Sequence, residues 1–351
     1  MENLKNNNIG NFGVVDEIDS LKKKISKSRL FIFFSALSLL FVFISVRTDS
    51  GSLPGLITVF LSTTCALIAY SSTVVLKPGL LSLLVPAVSL IAVLFGTKDI
   101  ATIILTLSFI PAGLTLGFSV KTKKTRMQSV TYVGLIMAFV IFAILGYQLY
   151  NYKGAITYDN FHDTVIEVAT AYVRNYLMPL TNFNEVFKEI SPVDATSDTI
   201  KSFLAAFVLL VGFIQAYISG SVLKNIFKRI GLEEEIFGCD NKWKLLMSKI
   251  AAAVFIIASI LFSTFQNFFN VGLIAPVITV LYPLGAGLAI IGLKSFYVFL
   301  KKSKMFSYVI FMLILFGTSI FSMVIVLLIF VGLLKTLLRG TKIDFFKKTE
   351  Q

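Results

Sequence analysis

The side chains with the greatest chemical potential lie in a polar segment, residues 151–202, between long apolar stretches. It carries the only histidine of the chain, His162, and a surplus of acidic residues. A histidine near carboxylates can transfer protons, but a surface histidine beside an aspartate such as Asp163 is more commonly just solvated. His162 is therefore a solvated residue that could at most touch a ligand. The charged residues of the segment are Asp159, Asp163, Glu167, Glu185, Glu189, Asp194 and Asp198 against Lys153, Arg174, Lys188 and Lys201.

Motifs for hydrolysis, nucleotide binding and metal binding are absent from the sequence. It has no GxxxxGKS/T phosphate loop, no HExxH and no GxSxG. Cys65 and Cys239 share no CxxC spacing, and one histidine cannot build a metal cluster. The apolar segments also lack Asp, Glu, Lys, Arg and His, which proton pumps, ion-coupled transporters and intramembrane hydrolases need at membrane depth. We therefore predict a protein that is not an enzyme and uses no metal or cofactor.

A few neutral groups inside apolar segments are candidates for ligand binding. Gln215 is an amide deep in such a segment, where it can either hydrogen-bond across helices or contact a ligand. The run Pro283-Leu284-Gly285-Ala286-Gly287 could break a helix at mid-depth and free carbonyls for a ligand, or it could only kink the helix. The candidate ligand-binding residues are Gln215, Tyr172, Tyr176, Pro283, Gly285 and Gly287.

Small residues at a spacing of four form two smooth stripes. Gly113 and Gly117 form one, and Gly212, Ala216 and Gly220 form the other. In membranes, small residues at this spacing let helix backbones approach closely. We predict that both stripes pack against neighbouring helices.

The composition places most of the chain in lipid. Its 351 residues are 56% hydrophobic and only 15% charged, and the mean hydropathy is +0.85. One soluble core cannot hide that much apolar surface. The net charge of +13 comes from Lys and Arg clustered beside apolar stretches, a pattern typical of cytoplasmic loops and of attraction to anionic lipid. The predicted partner is thus the lipid bilayer and not nucleic acid.

The arrangement of apolar segments predicts an all-α, polytopic transmembrane helical bundle with about 9–10 membrane segments and an extracytoplasmic amphipathic helical insert. The apolar segments are 30–46, 53–76, 80–95, 100–120, 129–150, 203–223, 250–265, 271–293 and 305–334. We divide the chain into a polar basic cytoplasmic arm (1–29), a five-span N-terminal membrane half (30–150), the outer amphipathic insert (151–202), a C-terminal membrane half (203–338) and a basic cytoplasmic tail (339–351).

The segment 305–334 leaves two possibilities open. As one helix it would be about 45 Å long and would place the basic tail outside, against the charge rule. A hairpin that bends near Gly317 keeps the tail inside, although each limb is then short for a bilayer. We favour the hairpin.

The insert itself has the pattern of an amphipathic helix that ends at Pro179. A second short helix is expected from Asn182 to Ile190, with Asn182 as its cap. Both are too short and too charged to span, so we expect them to lie across the outer mouth of the bundle with the apolar face down. The apolar positions of the first helix are Phe161, Val165, Val168, Ala169, Tyr172 and Tyr176.

Several short motifs, taken in order, resemble the YybS-like family of bacterial membrane proteins over roughly residues 55–340. They are Phe109-Ile110-Pro111-Ala112-Gly113-Leu114, the outer insert, Val222-Leu223-Lys224 to Lys228-Arg229-Ile230-Gly231, Lys242-Trp243, Gly287-Leu288, and the closing Leu338-Arg339. That family is similar to the substrate-capture (S) components of energy-coupling-factor transporters and, more distantly, to a rod-shape-determining membrane subunit. The resemblance implies a helical bundle with an outward-facing binding cavity. The segment Ser35–Leu40 departs from the Ala-xxx-Ala docking signature of S components.

These features lead to one functional hypothesis and one alternative. We expect a non-catalytic integral membrane protein that binds a small, mostly apolar molecule in an outward-facing cavity, as a substrate-capture component of a transporter. Because the chain has no nucleotide site, ATP use would require partner membrane subunits and an ATPase module. The alternative is an envelope scaffold or morphogenesis-type membrane protein that recruits partner proteins. In either case the location is the bacterial cytoplasmic (inner) membrane.

The charge distribution predicts the topology. Both termini and residues 121–127 and 224–249 should be cytoplasmic, and 151–202 should be outside. In a background without Cys65 and Cys239, single cysteines in 151–202 should react with an impermeant maleimide added to intact cells, and a cysteine at position 345 should not. Labelling at 345 from outside would rule out the hairpin and favour one long last helix.

Overall fold

A computed structural model describes residues 9–48, 53–77, 79–96, 99–177, 191–237, 246–265, 271–303 and 324–339. All regular secondary structure in these ranges is helical, which confirms the predicted all-α class. The helices are α1 (Ile9–Arg47), α2 (Leu53–Leu76), a 3-10 turn (Leu80–Leu83), α3 (Leu84–Gly96), α4 (Ile100–Leu107), α5 (Phe109–Lys121), α6 (Arg126–Lys153), α7 (Tyr158–Tyr172), a π turn (Val173–Leu177), α8 (Pro192–Ile230), α9 (Glu233–Phe237), α10 (Lys249–Phe265), α11 (Val271–Ser303) and α12 (Val324–Leu338).

Six stretches in the described ranges are long and apolar enough to cross a membrane, and the shorter apolar helices Leu81–Gly96, Lys249–Thr264 and Val324–Leu338 join them. Each apolar segment predicted between residues 30 and 293 coincides with a helix. The predicted hairpin bend near Gly317 lies outside the described residues. The six long stretches are Lys27–Arg47, Ile57–Leu76, Ile100–Lys121, Arg126–Lys153, Pro192–Ile230 and Ile274–Tyr297.

The chain forms two compact units that interleave along the sequence. The first unit comprises Met1–Lys124 and Gln215–Lys242, and the second comprises Thr125–Ile214 and Trp243–Gln351. Helix α8 contributes its first part to the second unit and its last part, from Gln215, to the first.

Helix α2 is the centre of the first unit. Its window Ile57–Leu76 is the most buried of the six candidate spans. Helix α1 runs antiparallel to it: Ser38 Oγ donates to the carbonyl of Ala66 at 3.3 Å, and further along α1 the hydroxyls of Ser45 and Ser62 bond at 2.7 Å. Such hydroxyl bonds hold helices together where lipid offers no competing partner.

Helix α5 packs parallel to α2 through the glycine stripe. A Cβ on Gly113 would lie 2.8 Å from Tyr70 Cδ1, and one on Gly117 would lie 2.7 Å from Val74 Cβ. Advancing four residues on α5 therefore advances four residues on α2. The Ser71 hydroxyl lies 2.7 Å from the carbonyl of Leu67 and 3.2 Å from that of Gly113, so its single proton is shared between the two helices.

The span Ile100–Lys121 has one irregular turn at Ser108, between α4 and α5, although Ser108 keeps helical backbone angles. Pro111 has no N–H to give to the carbonyl of Leu107, four residues earlier, so the helical ladder loses a bond there. In the same turn the Ser108 hydroxyl donates to the carbonyl of Leu105 at 2.6 Å. At the start of α4, the Asp99 side chain accepts bonds from the backbone N–H groups of Ala101 and Thr102 and caps the helix.

In the second unit, α6 and the first part of α8 meet at glycines. A Cβ on Gly212 would lie 2.5 Å from the carbonyl oxygen of Gly134, and a Cβ on Gly134 would meet the ring of Phe213. The backbones are thus in direct contact at this crossing. Ala216 and Gly220, which continue the stripe in the first unit, are buried.

Helices α11 and α12 form a closer, reciprocal contact that the sequence analysis did not identify. A Cβ on Gly292 would collide with the carbonyl of Leu328, and a Cβ on Gly332 would collide with the carbonyl of Leu288. On each helix the glycine follows the leucine by four residues. At each glycine, therefore, the backbone of the other helix lies in direct contact.

Three element boundaries in the structure bear on the expectations from the sequence. Residues 192–202, expected in the insert, form the first turns of α8, because α8 begins at Pro192, where a proline lacks only an N–H that has no helical partner. Helix α11 runs through Pro276 and Pro283 without interruption, so there is no break at Pro283–Gly287. The insert helix runs from Tyr158 to Tyr172 and continues as a π turn. The expected second helix, Asn182–Ile190, lies outside the described residues.

The glycine contacts predict specific losses of stability. Gly117→Ala and Gly292→Ala should each lower the free energy of unfolding by about 1–3 kcal/mol, because the added methyl meets Val74 in one case and backbone in the other. The measurement is unfolding of the purified protein in mixed micelles titrated with SDS.

Gly146→Ala is the matched control. A Cβ there has only Ile156 Cδ1 nearby, at 3.7 Å, so the change should be neutral or should stabilise by about 0.5–1 kcal/mol. Equal stability of all three variants would contradict the packing described for these helices.

Candidate functional site

The most unusual chemical feature of the first unit is a set of buried polar atoms without hydrogen-bond partners. Most hydroxyls of α2 donate to a carbonyl three or four residues earlier on the same helix, including those of Ser71, Ser72 and Thr73. A smaller set has no partner among the described groups: Thr63 Oγ1, Tyr70 Oη, Thr106 Oγ1, Gln215 Oε1 and Ser219 Oγ. Each unmet bond at a buried site costs about 1–3 kcal/mol, so this group requires an explanation.

Gln215 is the clearest case because its amide is only half satisfied. The residue is 3% exposed, and its Nε2 donates to Thr64 Oγ1 at 2.8 Å. The Thr64 hydroxyl spends its single proton on the carbonyl of Phe60, also at 2.8 Å. Thr64 can therefore only accept from Gln215, which fixes the amide orientation and leaves Oε1 as a buried acceptor with no donor.

Two further buried threonines are Thr63, next to Thr64 on α2, and Thr106 on α4. Thr106 precedes Gly113 by seven residues, as Thr63 precedes Tyr70, and Gly113 lies against Tyr70. Seven residues are close to two turns, so on parallel helices Thr63 and Thr106 share one level and lie on the facing sides. Both side chains are buried, and neither hydroxyl has a described partner.

Leu107 lies beside Thr106 at the irregular turn of the span. Its carbonyl cannot receive the usual bond from the residue four positions on, because that residue is Pro111. Buried polar atoms without a described partner thus occur on α2 (Thr63 Oγ1), on α4 (Thr106 Oγ1) and on the last part of α8 (Gln215 Oε1).

The insert helix in the second unit carries the other candidate residues. Its buried stripe is Val165, Ala169 and Val173, whereas Val168 and Tyr172 are about half exposed. Tyr172 thus lies on the accessible side of α7. Tyr176 belongs to the π turn, and its side chain lies outside the described part of the structure. Some residues of the predicted apolar face of α7 are therefore buried, and others are exposed on the surface.

An ion pair fastens α7 to the end of α6. Lys153 Nζ donates to Glu167 at 2.6 Å, and Tyr152 Oη donates to the same carboxylate at 3.1 Å. The hydrogen bond from Lys153 lowers the pKa of Glu167 below its ordinary value. Because the pKa of this carboxyl is lower in the folded protein, the contact contributes its full stability at pH values above the ordinary carboxyl pKa. This contribution is lost as the pH falls through the lowered pKa.

An open depression of about 410 Å³ lies along the accessible face of α7 and the π turn. His162 lies on the same helix, stacked on Tyr158 with ring centroids 6.2 Å apart. Among the described residues, no three His, Cys, Asp or Glu side chains come together as metal ligands. The depression is lined by Ile166, Glu167, Thr170, Ala171, Arg174 and Asn175.

Two glycines of α11, Gly285 and Gly287, pack against side chains of neighbouring residues. A Cβ on Gly285 would lie 3.3 Å from Phe255 Cε2, and one on Gly287 would lie 2.8 Å from the terminal methyl of Met247. Pro283 is partly buried within the uninterrupted helix. These three residues, with Tyr172 and Tyr176, belong to the second unit, whereas Gln215 belongs to the first.

Gln215 was a candidate from the sequence, but its partner Thr64 and the unpartnered Thr63 and Thr106 were not. The available signal was the run Ser62-Thr63-Thr64 within an otherwise apolar segment, since polar side chains at membrane depth need partners. Thr106 lies on α4, and its position relative to Thr63 follows only from the parallel register of Gly113 and Gly117 against α2.

Comparison with known proteins places the chain in a family. The family model described as "Predicted membrane protein (DUF2232)" matches residues 36–334, which is most of the chain. The protein belongs to the DUF2232 family. No curated protein and no solved structure matches it. The family and the six candidate spans together identify this DUF2232 protein as a helical membrane protein.

The half-satisfied amide of the DUF2232 protein predicts an asymmetry between two substitutions. Gln215→Met removes one interhelical bond but also an unmet acceptor, so the free energy of unfolding should stay the same or rise by about 1 kcal/mol. Thr64→Val leaves the whole Gln215 amide without a partner and should lower it by about 1–2 kcal/mol. Unfolding of the two purified variants by SDS titration measures both free energies. A larger loss for Gln215→Met than for Thr64→Val would contradict this account.

Proposed function

We propose that this DUF2232 protein is a non-catalytic protein of the bacterial cytoplasmic membrane that binds a small, mostly apolar molecule between α2, α4 and the last part of α8. In this proposal the binding cavity opens to the extracytoplasmic side, and the charge distribution puts the insert helix α7 on that side too. The molecule is captured from that side for uptake. Energy for uptake comes from partner membrane subunits with an ATPase module, since the chain has no phosphate-binding loop.

The observation that carries the proposal is the Gln215 amide. Its oxygen is buried and has no described donor, although Thr64 holds the other half of the amide firmly. A residue selected only for helix packing would gain stability by losing that oxygen, as a leucine or methionine does. A buried acceptor kept in a fixed direction is expected where a ligand supplies the donor.

The resemblance to the YybS-like family supports the same proposal. Through that family the chain is similar to S components, which capture small molecules at the outer side of the membrane and hand energy coupling to other subunits. The absence of an Ala-xxx-Ala signature at Ser35–Leu40 means that any coupling partner docks on different residues.

The test is native mass spectrometry of the protein purified in lipid nanodiscs. We expect a specific small molecule to be retained by the wild-type protein and lost from Gln215→Leu. Gln148→Leu is the matched control, since Gln148 is an exposed residue of α6, and it should retain the molecule.

Two results would contradict the proposal. Equal retention by Gln215→Leu and the wild type would place the molecule elsewhere. A wild-type protein that carries no small molecule and copurifies with cell-wall or division proteins would favour the alternative function, an envelope scaffold.

A further inference from the structure

Thr63 and Thr106 add a second recognition element to the proposed site. We infer that they bind the polar end of the ligand, and that this end is an electrically neutral group with both a hydrogen-bond donor and an acceptor, such as a carboxamide. The inference rests on the proposed function, because it specifies the ligand of the same site. It depends on the facing of two buried hydroxyls and on the direction of one amide oxygen.

The register places the two hydroxyls together. Gly113 and Gly117 lie beside Tyr70 and Val74, so α4–α5 and α2 advance in parallel, residue for residue. Continued back by seven residues, the same register pairs Thr63 with Thr106. Both are at most 2% exposed. Buried threonine hydroxyls usually bond to a neighbouring group or to their own helix, but neither of these has a described partner.

Gln215 completes the site from a neighbouring face of α2. Its partner Thr64 follows Thr63 by one residue, which corresponds to a rotation of about 100° around the helix. The acceptor Oε1 therefore lies on the adjacent face at almost the same depth. A small group in the corner between α2, α4 and α8 can reach both faces.

The chemistry of these atoms defines the group that they can bind. Gln215 Oε1 can only accept, so the ligand must donate to it. The hydroxyls of Thr63 and Thr106 can each donate or accept, so they can satisfy an acceptor on the ligand as well. A carboxamide, with an N–H beside a C=O, matches both requirements.

The site offers no counter-charge. The sequences 57–76, 100–120 and 215–223 contain no Asp, Glu, Lys, Arg or His. An isolated carboxylate or ammonium transferred there from water would lose its hydration without gaining a partner of opposite charge. The site therefore discriminates against charged ligands of the same size.

Four probes that share a benzene ring and differ in the attached group test this selectivity. They are benzamide (neutral, donor and acceptor), benzoate (anion), benzylamine (cation at neutral pH) and ethylbenzene (no polar group). Equilibrium dialysis against nanodiscs with and without the protein separates binding from partition into lipid. We expect benzamide to bind the protein at least about tenfold more tightly than benzoate or benzylamine.

Isosteric variants then assign the selectivity to the threonines. Thr63→Val and Thr106→Val should each weaken benzamide binding about three- to tenfold and leave ethylbenzene binding unchanged. Both variants should fold normally, because each hydroxyl lacks a described partner. Thr73→Val is the control: its hydroxyl is buried on the same helix but bonds to the carbonyl of Tyr70, and benzamide binding should not change.

The outcomes separate this inference from the proposed function. Benzamide binding that is lost in Gln215→Leu but unaffected in Thr63→Val and Thr106→Val would overturn the inference and leave the proposed function standing. Preference for a charged probe, or no benzamide binding by the wild type, would also overturn the inference. If in addition no native molecule depends on Gln215, the proposed function fails as well.

Discussion

The absence of water in a bilayer core is the constraint on which the first unit depends. Helix α2 is rich in serine and threonine, and in lipid each hydroxyl must find a partner within the protein. Most bond to their own helix, and some of these also contact a neighbouring helix: Ser62 bonds to Ser45 of α1, Ser71 reaches Gly113 of α5, and Thr64 accepts from Gln215 of α8. Ser38 of α1 in turn donates to the carbonyl of Ala66. Helix α2 thereby holds α1, α5 and α8 at defined registers without any charged group. Since lipid tails are as apolar as leucine, these bonds and the close glycine contacts decide the register.

Against this background, the unsatisfied atoms of Thr63, Thr106 and Gln215 are informative. Helix α2 satisfies its serine and threonine hydroxyls other than that of Thr63 by the simplest route, a bond to a carbonyl about one turn earlier. Thr106 lies in the turn before Ser108, where Pro111 also removes a donor from the ladder. Unmet hydrogen bonds that lower stability are common where a protein maintains a binding site at the expense of packing.

The sequence predicted the parts of this architecture that depend on local pattern. The lengths of the apolar segments predicted the positions of the helices, and the spacing of Gly113 and Gly117 indicated a contact face. Three features depend on tertiary register and could not be predicted in this way: the reciprocal contact of Gly292 with Gly332, the pairing of Thr63 with Thr106, and the choice of proline that interrupts a helix. Pro283 lies within a long helix that continues on both sides, whereas Pro111 follows Ser108, whose hydroxyl donates to a carbonyl of the preceding turn.

In the site that we propose, the Gln215–Thr64 pair also explains how neutral groups can be selective. A free glutamine side chain loses rotational freedom when it binds a ligand, and that loss weakens affinity. Here the loss has already occurred on folding, because Thr64 accepts from Nε2 and its own proton is committed to Phe60. The oxygen Oε1 therefore has one direction before any ligand arrives. A ligand with a donor at that position gains a full hydrogen bond in a low-dielectric setting, and a ligand without one leaves the acceptor unpaired. Discrimination then follows from geometry that the helices already impose, and it requires no charge within the membrane.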